Sequence, residues 1–551
     1  MNSEINNQLD NEEAVRTAQK SFHSRTVSRR KLLASLGITG AAAMLSGAIL
    51  PVNSVRASVA HSVYGGGGPH SADNLTYKYE TSLQGRSVGD RLRERVSVKD
   101  FGAVGDGVAD DTASINAAIQ NVSASGGGTL YVPRGTYNIA AAKTSNTAPG
   151  GVIMKSGVHL QFDSGAVFKA IPTGSMYYSI VSIIDCERVR ISGAQLVGER
   201  YEHLDTQGEW GHGFLVMNSS QLTIVDTQIR DCWGDGLYIR SAAKITLVRI
   251  VSDNNRRQGM SLISCTDFRA DHCIFQNTNG TDPQSGVDLE PNQATEEVRN
   301  VSFNACQFIN NQGRGFVVGI RRGATCENIH LSDSVITGNR YESFRIAGRN
   351  NSIIRSITLT NVILDDFDIG LANEAAITNV ALDRIECKSM VFRSVAHLLV
   401  TRTVLHSDTP SEVRSLEFNN VSDAVVRDAW ILDSSSSGIG LVSGYNERIT
   451  LDRVTIRNAA GHGIQANSTS AKQITIVNCE IKDSASSGIE GVSVDWIVSR
   501  NFLRNNRNLG IRLASTADHS IISENHCSGN ASGDIVNDGA ATNLIVNNML
   551  V

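Results

Sequence analysis

The residues best equipped for chemistry gather in the stretch from position 210 to 322. Asp235, Asp288 and Glu290 are carboxyl groups that can accept or donate a proton, and Arg240, Arg256, Arg257 and Arg314 are permanent cations suited to an anionic ligand. His212 and Tyr238 can also move a proton. Gln258 offers an amide, and Trp210 and Trp233 offer flat apolar faces. Asp288 and Glu290 are two residues apart, so on a strand they share a face with Cα atoms about 6.5–7 Å apart. Two carboxyl groups about 6.5–9.5 Å apart suit inverting glycoside hydrolysis, with a water between them. Asp235 should lie on the order of 10 Å or more from Asp288 by backbone. The same groups suit β-elimination. There a cation or Ca2+ neutralises a uronate carboxylate and a base takes the adjacent proton; Asp235, Asp288 and Glu290 supply oxygen ligands of the kind Ca2+ takes.

What must position these residues is a repeat. A glycine followed by alternating apolar residues recurs as Gly213-Phe214-Leu215-Val216, Gly236-Leu237-Tyr238-Ile239, Gly259-Met260-Ser261-Leu262, Gly286-Val287-Asp288-Leu289 and Gly315-Phe316-Val317-Val318. It returns at Gly370, Gly438, Gly463, Gly488 and Gly510. Five residues before a glycine stands Asp231, Asn254, Asn310, Asp365, Asn458, Asp483 or Asn505, residue types that tolerate a left-handed corner. Such a period, built from short strands and corners, predicts a parallel β-helix, with equivalent residues stacked about 4.8 Å apart. With the glycine as position zero, +1 and +3 are expected to face inward and −1, +2 and +4 outward. The site residues then line one outer wall: His212, Asp235, Gln258 and Arg314 at −1, Tyr238 and Asp288 at +2, Arg240 and Glu290 at +4. Trp210, Trp233, Arg256 and Arg257 sit at corners. A surface carboxylate on a solenoid is often merely solvated. Gly461-His462-Gly463 repeats Gly211-His212-Gly213, so histidine at −1 can also be a scaffold choice.

The bulk composition agrees. The chain is 41% hydrophobic but only 5% aromatic, so its core is built of Val, Ile, Leu and Ala, which suits stacked strands. A net charge of −5 leaves no footprint for nucleic-acid binding. Nine cysteines cannot all pair within a monomer, and no Cys-x-x-Cys occurs. Buried thiols are expected, with Cys273 and Cys306 near enough on neighbouring coils for one bridge.

Ser28-Arg29-Arg30-Lys31-Leu32-Leu33 precedes a short apolar stretch at 36–50 and small residues at Ala57 and Ala60. This reads as an export signal over 1–60 that resembles a twin-arginine signal, and the apolar run is short for a membrane span. The expected location is secreted, cell-surface or periplasmic, with no stable membrane insertion once the signal is removed. Residues 61–93, with Gly65-Gly66-Gly67-Gly68-Pro69, read as a linker. Residues 94–150 read as an N-terminal cap and first coils, and 151–551 as the β-helix. In the cap, 97–101 alternates like a strand, and Asp110-Asp111-Thr112 opens a helix with Ile115, Ala118, Ile119 and Val122 on one face. Asp106, Asp110 and Asp111 read as turn and cap residues. The stretch 371–435 lacks glycine marks and should hold about three coils.

Val98-Lys99-Asp100-Phe101-Gly102-Ala103, Gly105-Asp106-Gly107, Gly126-Gly127-Gly128-Thr129 and Val132-Pro133-x-Gly135-x-Tyr137 resemble the start of the pectate-lyase superfamily, in its rhamnogalacturonase and epimerase-like branch. The resemblance implies an all-β, right-handed parallel β-helix with a short N-terminal capping helix, a polysaccharide ligand and a groove along one sheet. Gly286-Val287-Asp288-Leu289-Glu290-Pro291 also resembles the catalytic strand of alginate C5-epimerases. Asp288 matches the aspartate, Leu289 replaces a proline, and Glu290 stands where that family has histidine. The expectation is an exported enzyme cleaving an acidic polysaccharide by β-elimination, as a monomer or homotrimer. A glycoside hydrolase and a non-catalytic glycan-binding β-helix are the alternatives.

Overall fold

Alternating runs of Val, Ile, Leu and Phe, broken every few residues by Asn, Asp or Gly, form short parallel strands with sharp corners between them. The computed structural model describes residues 72–77, 85–349, 351–369, 376–406, 414–466 and 471–551. Two compact units are present, 1–92 and 93–551. In the first, the described residues include an antiparallel pair, Thr76–Tyr77 with Arg86–Ser87, within the segment expected to be a linker. The export signal expected over 1–60 lies outside the described residues.

The second unit is a solenoid with three walls per coil. The first wall carries β1 (Tyr177–Ile184), β2 (Trp210–Met217), β3 (Leu237–Arg240), β4 (Met260–Leu262), β5 (Val287–Leu289), β6 (Phe316–Ile320) and β7 (Phe344–Gly348), each parallel to the next. The register matches the sequence reading: Phe214, Leu237, Met260, Val287, Phe316 and Phe344 follow one another at +1, all fully buried. Full burial of one such side chain contributes roughly 1.5–3 kcal/mol, and Phe316, Phe344 and Phe367 stack at 5.2 and 5.1 Å.

Glycine at position zero answers a demand for space. A Cβ on Gly213 would strike Ile229 Cγ2 and lie 2.7 Å from Gly236 O; one on Gly236 would lie 2.7 Å from Gly259 O. Position zero therefore faces inward, as +1 does. Strict alternation stops at the glycine, and the strand proper starts after it. This break is why −1 sits beside +2.

Asp231, Asn254, Asn310, Asn458, Asp483 and Asn505 all take left-handed backbone, with φ between 53° and 60°. Asp365 does not, because the assigned register was wrong there. The strand Asp366–Ile369 pairs Phe367 with Phe344, which makes Asp366 position zero. Ser343, Ser389 and Ser415 fill that position in neighbouring coils, and Gly370 lies outside the described residues. Buried asparagines next to the corners close the ladder: Asn255 Oδ1 accepts the Cys232 N–H at 3.0 Å and Asn311 Oδ1 the Thr278 N–H at 3.1 Å.

The helix α1 (Thr112–Ala124) buries Ile115, Ala118, Ile119 and Val122 as expected. Asp110 accepts from Thr112 N–H at its start, while Asp111 accepts instead from Val104 and Gly105. The expected strand at 97–101 is a 3-10 turn, Val98–Phe101, because Ser97 and Asp100 form a capping box. All nine cysteines are buried free thiols, and Cys273 and Cys306 lie against each other.

A candidate active site on the first wall

Arg257 is the hub of the site. It lies at the corner before β4, where its backbone N–H donates to Gly234 O. Its Nη1 is 3.1 Å from Asp235 Oδ2 and 3.2 Å from Oδ1. Its Nε is 3.5 Å from Glu209 Oε2, and its Nη2 is 3.7 Å from Glu290 Oε2. Burial alone would weaken the guanidinium's hold on its proton, but Asp235, Glu290 and Glu209 reverse that and raise it.

Asp235 was expected on an exposed wall; it is completely buried. Burial raises its carboxyl to about 6, against the pull of Arg257 and Ser261. The Ser261 hydroxyl lies 2.7 Å from Asp235 Oδ2 and 2.8 Å from Gln258 Oε1, with one proton to give. Asp235 is thus a positioning residue for Arg257. Among the described residues no group of three or more His, Cys, Asp or Glu is placed to hold a metal ion, so Asp235, Asp288 and Glu290 are not gathered into one oxygen-ligand set. Asp235 has both oxygens on Arg257.

Asp288, on β5, is 6% exposed. Gln258 Nε2 donates to its Oδ2 at 3.4 Å, while its buried Oδ1 has no hydrogen-bond partner among the described residues. Burial, then the neighbouring Glu290, pushes its carboxyl well above the usual range, which favours the protonated form. Asp288 and Glu290 line a pocket of about 240 Å³ with Arg314, Arg321, Arg345 and Arg349. The pocket exists because +4 narrows to Gly319 and then Ala347 beyond Glu290; a Cβ on Gly319 would sit 3.4 Å from Asp288 Oδ1. Arg314 is bonded to Glu342 at 2.6 Å. Arg321 and Arg349 have no ion-pair partner among the described residues.

The remaining expected site residues divide. His212 is fully buried; it stacks on Tyr238 at 4.9 Å, and its Nδ1 accepts the Asp235 N–H at 3.3 Å. Burial, with Lys143 and Arg257 nearby, holds it neutral. His462 Nδ1 accepts the Ser487 N–H at the same 3.3 Å, so this histidine belongs to the scaffold. Burial pushes Tyr238 up to about 12. Trp233 is no open sugar platform: His203 stacks on it at 4.0 Å and Arg256 lies 3.7 Å from the ring, which occupies both faces. Arg256 also donates to Gly208 O at 2.9 Å. Trp210 stacks on Tyr177 at 5.1 Å. Arg240 is paired with Glu296 at 2.9 Å.

The sequence pattern of the right handed beta helix region matches residues 156–328 and 437–550, more than half the chain. The chain belongs to the right-handed β-helix family. It is 27% identical over 271 residues to YclG of Bacillus subtilis, 44% of this chain and 46% of that protein. It is 42% identical over 97 residues to mannuronan C5-epimerase AlgE4 of Azotobacter vinelandii, 18% of this chain and 15% of that one. The chain therefore spans less than half the length of these curated relatives. Among solved structures it is similar to a tailspike protein mutant of E. coli bacteriophage HK620 in complex with hexasaccharide, at 13% identity and TM-score 0.48, covering 86% of this chain and 84% of that one.

In this right-handed β-helix, sequence reasoning missed Glu209, Arg345, Arg349 and Lys143. Arg345 continues the +2 column after Asp288 and Val317, and was hidden because Ser343 replaces the marker glycine. Glu209 belongs to an irregular excursion without period. Lys143 is 7% exposed, and burial lowers it to about 7. Its Nζ donates to Asn146 O at 2.8 Å, and Asn146 Oδ1 lies 3.4 Å from His212 Nε2.

Proposed function

We propose that this chain is an exported carbohydrate-active enzyme that cleaves an acidic, uronate-containing polysaccharide by β-elimination. The carrying observation is the pocket itself: a buried Asp288 with one oxygen that has no hydrogen-bond partner among the described residues, beside Glu290 and with Arg314, Arg321, Arg345 and Arg349 in the lining. Arg314 and Arg345 are paired with Glu342, which leaves Arg321 and Arg349, without ion-pair partners among the described residues, to meet a sugar that brings its own negative charge. The likeness to a mannuronan epimerase over part of the chain supports a uronate, and the Arg29-Arg30 segment supports export.

The uronate carboxylate seats against Arg321 and Arg349, which makes the proton on the adjacent carbon more acidic. Glu290 takes that proton. The released pair forms the new carbon–carbon double bond, the bond to the leaving oxygen breaks, and Asp288 gives that oxygen its proton. Arg257, braced by Asp235, keeps Glu290 in place. A second reading, hydrolysis, draws on the same pairing of a protonated and a second carboxyl group.

Incubation with polygalacturonate, mannuronan and guluronan tests this. Unsaturated-uronate absorbance that appears with cleavage is the expected result. New reducing ends without absorbance mean hydrolysis, and binding without any product means a non-catalytic β-helix.

A further inference from the structure

A second set of outward residues stands on the third wall, in late coils remote in sequence from Asp288. There the strands Trp430–Leu432, Thr455–Arg457, Glu480–Lys482, Phe502–Arg504 and His526–Ser528 pair in parallel in that order. The middle residues, Ile431, Ile456, Ile481, Leu503 and Cys527, are buried, so the flanking residues face out in two columns. One column stacks Arg457, Lys482 and Arg504 in register, about 4.8 Å per step. The other holds Trp430, 45% exposed, and three coils on Phe502, 43% exposed. The Arg457 guanidinium lies 5.4 Å from the Trp430 ring and that of Arg504 lies 5.0 Å from the Phe502 ring.

Like charges stacked across parallel strands are unfavourable. Arg457 is relieved by Glu480 at 3.1 Å, but among the described residues Lys482 and Arg504 have no ion-pair partner. The buried Nε atoms of Arg457 and Arg504 also lack hydrogen-bond partners there. The scaffold does not require these cations, since earlier coils fill the same register with Val197, Arg230, Asp253, Gln276 and Ile309. They also stand on a chain whose net charge is −5.

We propose that this face is a non-catalytic docking track for an anionic polysaccharide. Carboxylates of successive sugars meet Arg457, Lys482 and Arg504, and sugar rings lie on Trp430 and Phe502. A linear polymer with one carboxylate per sugar matches a row of one cation per coil. The choice of a uronan rests on the reading of the Asp288 pocket, whereas the track's position and charge do not.

The test is affinity electrophoresis and calorimetry of the whole protein with polygalacturonate and alginate, with dextran and single-stranded DNA as comparators. Charge reversal at Lys482→Glu with Arg504→Glu is expected to weaken binding to the acidic polymers at least tenfold, and Trp430→Ala several-fold. Lys482→Ala, a milder change, is expected to weaken it about threefold with an unchanged melting profile. Turnover of short oligouronates stays at the parent level in these variants but falls in Arg349→Ala. Unchanged polymer affinity in the double reversal overturns the track, as does equally tight binding of dextran or DNA by the parent. Lys482-dependent binding without turnover of any glycan upholds the track while removing the lyase reading.

Discussion

Arg257 Nη1 stands 3.1 Å from Asp235 Oδ2, and the same guanidinium reaches Glu290 at 3.7 Å, so one side chain ties a buried acid to a pocket-lining one. Removing one member of such a pair strands the other. Arg257→Ala should destabilise the protein by about 3–5 kcal/mol at pH 8, where Asp235 is ionised. The loss should shrink toward pH 5, where Asp235 takes up a proton. Arg257→Met combined with Asp235→Asn should recover most of the stability but not turnover. Urea denaturation at the two pH values measures this, and an equal loss at both would contradict it.

Burial and the neighbouring Glu290 favour the neutral form of Asp288, and Asp288→Asn matches that form in charge and shape. Stability should change by less than about 1 kcal/mol, while turnover should fall by roughly 10²–10⁴, the usual contribution of a positioned acid. Normal turnover in this variant would place the chemistry elsewhere.

Asp235 gives a pH dependence with a definite sign. Its carboxyl lies at about 6 in the fold against 3.8 when unperturbed, so the folded state binds more protons in between. Its contribution is fully present below 3.8 and is lost as pH rises through 6. The melting temperature of the parent relative to Asp235→Asn should therefore fall from pH 4 to pH 6 and level off above. A difference that rose across that window would refute the assignment.

The inward glycines predict a steep contrast. A Cβ on Gly236 would lie 2.7 Å from Gly259 O and would also strike Ser252 Oγ, so Gly236→Ala should cost upwards of about 2 kcal/mol by overpacking. At Gly126 nothing lies within 4 Å, and only the left-handed φ of 95° opposes a side chain, so Gly126→Ala should cost about 1 kcal/mol. Parallel thermal melts of the two variants would decide.

Much of the wall was legible because stacking turns sequence offset into spatial neighbourhood. Phe214 to Phe316 fell in one column as the spacing demanded, and Asp288 and Glu290 arrived in one pocket with Arg314. Three things were not legible. Solvent exposure was misjudged at His212, Asp235 and Gln258, all fully buried, since alternation says which way a residue points but not what lies over it. Register slipped by four residues at Gly370, because serine and aspartate can fill the small-residue position where the next coil leaves room. The excursion that brings Glu209 to Arg257 has no period, and its hold on Trp233 through His203 leaves no mark in the sequence.

Coils on the first wall run from 22 to 33 residues, yet from Phe214 to Ile346 its strands stay paired in one register. The extra residues lie between the paired strands, so they lengthen the connections and leave the ladder of the wall intact. The cleft can thus be remodelled by lengthening a bend while its floor stays unaltered, so scaffold and specificity can diverge independently in evolution.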